Sequence, residues 1–302
     1  MRCALWMLVL AFALPCAYAV DYRTADTPRV VRDAMLDSDA PDRKQRAARA
    51  HAEMHRREAE SLRYLLSIAH LRNYLIPIYV TQMWQRVPRE ESVPILLEAM
   101  KAPEWRTRKI AAYYLGFGHT PEHAPVMLTA LQDDKVASTA IRTLGKWHVT
   151  NAIPEIARFV GSTNESQRVR AVVAMKDIGS PDAIPHLLTA LRDPVLTVRF
   201  KAAEALGSLA PASTEAVTHA LKTADANHTR ALVRALSESG DLAARPVLET
   251  LLKHADWRIR GDAIRALREI DPDSSPDVAP DSAEHPYVQS GLHPRATRQE
   301  PQ

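Results

Sequence analysis

The chain has 302 residues, 46% of them hydrophobic and 25% charged, with a formal net charge of +3. That content sustains a buried core and excludes a chain disordered throughout, while the near balance of charge makes no case for nucleic acid. Both cysteines, Cys3 and Cys16, precede Ala17, so the rest of the chain has no disulfide framework and no thiolate for metal or nucleophilic chemistry.

Residues 1–19, MRCALWMLVLAFALPCAYA, join one cation (Arg2), an apolar run from Cys3 to Leu14, a break at Pro15 and the triplet Ala17-Tyr18-Ala19. This is the layout of a secretory signal peptide with an A-x-A cleavage site. The run is shorter than the ~20 residues a membrane-spanning helix needs. A lipoprotein reading at Cys16 is disfavoured, because Leu14-Pro15 stands where small residues belong. The expectation is therefore a periplasmic or secreted chain that begins at Val20 and has no membrane span.

Residues 20–92 read as a helical N-terminal cap region. Thr27 stands as a cap before Pro28, a favourable helix start. A long charged helix is predicted from about Asp42 to His70. The stretch Leu62 to Val80 is more apolar, but Arg63, His70, Arg72 and Asn73 interrupt it and Pro77 breaks it. That excludes a membrane span. It is assigned to covering the first repeat in preference to meeting a partner.

From 93 to 271 the chain repeats. Leu115, Leu144, Met175, Leu206, Leu236 and Leu267 recur at steps of 29 to 31 residues. A second feature keeps the same phase: Pro94, Pro125, Pro154, Pro185 and Pro246, with Glu215 in the remaining slot. Proline suits the first turn of a helix, where its missing N–H has no partner to lose. Periods near 30 mean a stacked array. Each of the six units reads as helix A, a turn and helix B. In the fourth, helix A is Pro185 to Leu191 and helix B runs from about Thr197 to Leu209, with Ala202, Ala203, Leu206 and Leu209 in one buried stripe. Residues 272–302 are rich in proline and aspartate, have no apolar periodicity and read as a disordered tail.

The segments DPVLTVRFKAAEALG (Asp193 to Gly207), EWRTRKIAAYYLG (Glu104 to Gly116) and DWRIRGDAIRAL (Asp256 to Leu267), with the linker GSPDAIP (Gly179 to Pro185), resemble the short HEAT-like repeats of the phycobilin-lyase type. The resemblance implies an all-α fold, a right-handed α-α superhelix with a helical cap. It also implies an Asp-to-Arg ladder six residues apart. Only Asp193 and Arg199 keep the pair; Arg108, Arg168 and Arg260 fill the arginine slot, and Ala137 and Thr229 replace it. Enzymatic relatives do not carry over. The iron-binding branch uses His-Glu dipeptides, and this sequence has none. Phycobilin lyases and HEAT-like DNA glycosylases work inside cells, against the exported start.

Other candidates for chemistry have competing readings. His51 and His55, one turn apart, have a spacing that can hold zinc. Glu53, however, is one place late for the metalloprotease signature, so a solvated helix face is preferred. His119 and His148 lie four residues past their anchors, with His123 near the first, and read either as a metal or protonation site or as polar loop residues. Trp105 and Trp257 share a slot and are assigned to packing between units in preference to ligand stacking.

In such solenoids helix B lines the concave side. Helical geometry then puts outward Lys109, Ile110, Tyr113 and Phe117 in the first unit, Arg142 and Lys146 in the second, and Arg170 and Asp177 in the third. The fourth offers Phe200, Lys201 and Glu204, the fifth Arg230, Arg234 and Glu238, and the sixth Asp262, Arg265 and Glu269. Candidate partner-binding residues are Tyr113, Phe117, Arg142, Lys146, Arg170, Lys201, Arg234 and Arg265. The expected function is a protein-binding scaffold or adaptor that takes an acidic segment of its partner, without cofactor, metal or catalysis. The rival readings are a metal- or small-molecule-dependent enzyme and a binder of cell-envelope polymer.

Overall fold

The computed structural model describes residues 25–35, 41–71, 74–118 and 121–272. The expected signal peptide, His119 and residues 273–302 of the expected tail lie outside these. The described residues hold sixteen α-helices, short 3-10 turns and no strand. They fall into two compact units, one of residues up to 118 with 133–139, the other of 121–132 with those from 140 on.

In the first unit, α1 (Thr27–Ala34) packs on α2 (Pro41–Arg56), and α3 (Glu58–Ser67) packs on α4 (Leu75–Arg86), α5 (Arg89–Ala99) and α6 (Trp105–Leu115). Val31, Met54, Leu62, Leu65, Val80 and Leu115 fill its core. Three expectations are corrected here. Asp26, not Thr27, caps α1, its carboxylate accepting from the Arg29 N–H at 2.8 Å; a carboxylate serves this position better than a threonine hydroxyl. The long charged helix breaks at Arg57, where the Ser61 hydroxyl donates to the Met54 carbonyl at 3.0 Å and so satisfies the end of α2. Pro94 lies inside α5 instead of opening it. Pro88 caps that helix, Glu90 and Glu91 favour its first turn, and Pro94 is exposed.

The remaining helices are α7 (Ala124–Ala130), α8 (Ala137–Lys146), α9 (Ile153–Ala157), α10 (Glu165–Ile178), α11 (Ile184–Ala190), α12 (Leu196–Ser208), α13 (Thr214–Leu221), α14 (Ala226–Ser239), α15 (Arg245–Leu251) and α16 (Trp257–Ile270). Short A helices alternate with longer B helices. Pro125, Pro154, Pro185 and Pro246 sit in the first turn of their A helices. The six anchors, Leu115 to Leu267, are each at most 2% exposed. In the second unit α10, α12, α14 and α16 pack side by side in succession.

The glycine that follows the anchor explains how closely these helices approach. A Cβ on Gly207 would lie 2.6 Å from the Glu238 Cβ, and one on Gly145 would lie 2.8 Å from the Ala174 Cα. In three units the fourth position past the anchor is left-handed: Gly179 has φ 72°, Gly240 φ 59° and His148 φ 53°.

The ladder is also rearranged. Arg199 does not pair with the Asp193 carboxylate; it donates to the backbone carbonyls of Asp193 and Pro194 at 2.7 and 2.9 Å. Arg108, Arg168 and Arg260 make the same backward bonds to the turn before their own helix. The Asp193 carboxylate belongs to Arg168 of the preceding repeat.

Candidate partner-binding surfaces

The outward faces of α12, α14 and α16 enclose a groove of about 300 Å³ in the second unit. Phe200, Arg230, Arg234, Glu238, Arg265 and Glu269 line it. The Arg234 guanidinium lies 4.0 Å from the centre of the Phe200 ring, a cation–π contact that keeps an apolar floor beneath a charged rim. Each rim arginine already faces an acid. Arg230 meets Asp262 at 2.6 Å, Arg234 meets Glu238 at 2.8 Å, and Arg265 lies 3.7 Å from Asp262. These arginine side chains are 44 to 70% exposed, and exposed pairs contribute only ~0–1 kcal/mol. A partner carboxylate can therefore compete for them at little cost.

Of the candidate residues, the groove brings together Arg234 and Arg265. Lys201 lies on the same helix as Phe200, but Glu204 holds it at 2.8 Å and also binds Lys176. Those two lysines, Lys176 first, hold the Glu204 carboxyl down at about 2. Arg170 and Lys146 are exposed and Arg142 is half-buried; none of the three lines the groove.

In the first unit Tyr113 and Phe117 are 39% and 49% exposed and meet edge to face at 4.8 Å. Trp84 backs Phe117 at 5.5 Å. A separate hollow of about 340 Å³ is lined by Leu71, Tyr74, Pro77, Trp105, Lys109 and Ile110. The assignment of Leu62 to Val80 as a cover is thus half corrected. Leu65, Leu66, Ile76 and Val80 are buried, but Leu71, Tyr74 and Ile78 are 48 to 70% exposed. Helical spacing carried that signal, since Tyr74 and Ile78 lie one turn apart on the face opposite Ile76 and Val80. Trp105 is half-buried with Arg106 and Lys109 over its ring, and Trp257 stands 37% exposed. Trp257 is therefore not sealed between repeats.

The face carrying His51 and His55 is packed, not solvated. The His51 ring bonds the Tyr79 hydroxyl at 2.8 Å, and that hydroxyl donates to the Ala34 carbonyl. Glu53 is buried and held by Arg56 and Arg57, which bring its carboxyl to about 2. His148 takes the left-handed slot that glycine fills elsewhere and donates from Nδ1 to the Asp177 carbonyl. Its repeat position is thereby explained as a helix end. Among the described residues no group of three or more His, Cys, Asp or Glu could hold a metal ion, and no described helix is long and apolar enough to cross a membrane.

Sequence reasoning missed His228. It is 5% exposed, with its Nδ1 accepting from Arg192 at 3.2 Å. A signal was present: the same place in other B helices holds Thr107, Val136, Gln167, Val198 and Ile259, so a histidine there needs a polar partner at depth.

Paired antiparallel helices with a buried repeat stripe define a protein of the α-α repeat class. Residues 124–207 and 214–286 match the family model for HEAT repeats, just over half of the chain, and the chain belongs to the HEAT repeat family. Solved structures similar to it include the CpcE and CpcF complex of phycocyanin lyase from Nostoc, 18% identical over 86% of this chain and 92% of that one, with a TM-score of 0.37. A designed armadillo repeat protein in complex with the peptide (KR)4 is 16% identical over 82% of this chain and all of that one, at 0.37. Human deoxyhypusine hydroxylase in complex with glycerol is 15% identical over 82% and 96%, at 0.34. No curated protein matches the chain significantly.

Proposed function

We propose that the chain is an exported scaffold or adaptor that holds an acidic segment of a protein partner on the outward face of its B helices and performs no catalysis itself. The observation that carries this reading is the groove on α12, α14 and α16, an apolar floor at Phe200 under the guanidinium of Arg234, with Arg230 and Arg265 at its rim. Aromatic and arginine side chains are the types that dominate binding energy at interfaces. Family membership supports a protein-binding scaffold, since repeat arrays present extended surfaces of this kind. Export is supported by the tripartite segment Met1 to Ala19.

The partner is to be recovered by crosslinking in the native envelope and mass spectrometry. Reversal of Arg234 and Arg265 to Glu then weakens its binding while the fold persists. Arg158→Glu and Arg245→Glu, on the A-helix side, leave binding intact. Equal loss from both sets rejects the B-face reading. Export is checked separately by N-terminal sequencing, which reads VDYRTAD for cleavage after Ala19; a product that retains Met1 rejects it.

A further inference from the structure

Among the described residues, the arginine ladder lacks its forward acid at Arg199. Arg108 sends Nε and Nη2 forward to Asp133, and Arg168 sends the same atoms to Asp193, in each case 25 residues on. Both also tie Nη1 back to carbonyls of their own turn. Where the slot holds Ala137 or Thr229, the residue at that forward distance is Ser162 or His254, and no acid is needed. Arg199 makes the backward bonds and so presents its fork in the same attitude. The residue 25 places on, however, is Ala224. Nε and Nη2 of Arg199 have no acceptor among the described residues.

The neighbouring groups form a cavity of about 630 Å³. Arg192, Arg199, Asn227 and His228 line it, together with the carboxylates of Asp193 and Asp225. Both acids are committed elsewhere. Asp193 is held by Arg168 and the Val195 N–H. Asp225 caps α14, accepting from the His228 N–H at 2.9 Å. Arg192 donates from Nε to His228 Nδ1, so the ring proton of neutral His228 sits on Nε2. That N–H is buried and has no partner. Burial, and then the Arg192 charge, keep this histidine neutral by lowering its pKa. The cavity thus gathers unused donors on two guanidinium groups, those of Arg192 and Arg199, and a planar fork matches a carboxylate in two parallel bonds.

We propose that this cavity binds a carboxylate, from a small molecule or from an acidic peptide, which takes the place on Arg199 that Asp133 and Asp193 take on Arg108 and Arg168. The cavity shares Arg199 and Asn227 with the groove on α12, α14 and α16, but the inference does not require that groove to be occupied.

The test is thermal unfolding of the full chain in sodium succinate, sodium phosphate or sodium chloride at equal ionic strength. Succinate raises the melting temperature above chloride, and phosphate does so less. Ala224→Asp supplies the missing acid from within; it melts higher than the native chain and loses the succinate response. Arg199→Lys keeps the charge without the fork and weakens succinate about tenfold, the scale of one charge-assisted hydrogen bond. Arg234→Glu leaves the response unchanged, which separates this site from the partner-binding groove. A fluorescent tetraglutamate peptide displaced by succinate supports a peptide source, and succinate binding without peptide binding supports a small molecule. Equal melting in succinate and chloride, equal effects of phosphate and succinate, or an undiminished response in Ala224→Asp each overturns the proposal.

Discussion

Arg168 grips Asp193 of the next repeat with two hydrogen bonds, from Nε at 2.6 Å and from Nη2 at 3.2 Å, while its Nη1 donates back to the Ser162 carbonyl at 2.9 Å. One guanidinium therefore fixes two consecutive turns between helices A and B. The pair is deeply placed, with side-chain exposures of 11% and 5%. Removing one partner of such a pair strands the other, at a cost of ~3–5 kcal/mol. Arg168→Ala is expected to lose clearly more stability in urea unfolding than the loss of an exposed pair. Arg230→Ala, whose pair with Asp262 includes an arginine 44% exposed, is expected to lose under about 1 kcal/mol. Similar losses at the two sites reject the ladder as a fixing element.

Glycine substitutions separate helix propensity from helix approach. Gly207→Ala drives a methyl into the Glu238 Cβ and backbone, which stand 2.6 and 2.8 Å from where it must go. Overpacking of this kind costs ~1–3 kcal/mol. Gly261 lies inside α16 with nothing within 4 Å of its added Cβ. Gly261→Ala should stabilise by ~0.5–1 kcal/mol through propensity alone. Melting of both variants checks the pair, and the opposite signs are the result to look for.

The anchors and most of the prolines were legible because each repeat states its pattern again, so phase accumulates evidence that a single helix does not provide. All six anchors are buried, and helix B of the fourth unit begins at Leu196, one residue before the expected Thr197. Most outward-facing positions were legible for the same reason, since a B helix with a known buried stripe fixes its opposite face; Arg142, half-buried with its Nε covered, departs from it. What lay beyond the sequence depended on partners distant in the chain. Nothing local says that Asp193 serves Arg168 instead of Arg199, or that Tyr79 reaches His51 across 28 positions. The hollow at Trp105 is hidden in the sequence because Leu71, Tyr74 and Ile78, which face away from the core, share one apolar run with the buried Leu65, Leu66, Ile76 and Val80.

Leu206 tests the register directly. It is fully buried on α12, whereas Leu196 at the start of the same helix is 56% exposed. Leu206→Ala should cost ~2–5 kcal/mol, as large-to-small core changes do. Leu196→Ala should stay within ~0.5 kcal/mol, the range for surface changes. A chemical denaturation series on both variants decides it, and a larger loss at Leu196 rejects the assigned stripe.

The response of stability to acid should come in two stages, each with its own groups. His51, His55 and His228 all have pKa values below the ordinary 6.5, first because of burial. His55, Arg86 and Arg192 respectively add charge repulsion to that burial. Below 6.5 the unfolded chain takes up protons at these positions before the folded chain does, so unfolding binds protons and stability falls as pH falls. Above 6.5 both states are neutral there, and these residues contribute no slope. Glu53 and Glu204 act lower down, where arginine and lysine partners hold them at about 2 instead of 4.5. Their contribution is complete above 4.5 and is lost as pH falls from there through about 2. The melting temperature should therefore decline first below 6.5 and again below 4.5. His228→Gln and His51→Gln should flatten the first decline and leave the second, while Glu53→Gln should melt lower at neutral pH and flatten the second. A first decline that survives in both histidine variants would assign the proton uptake to other groups.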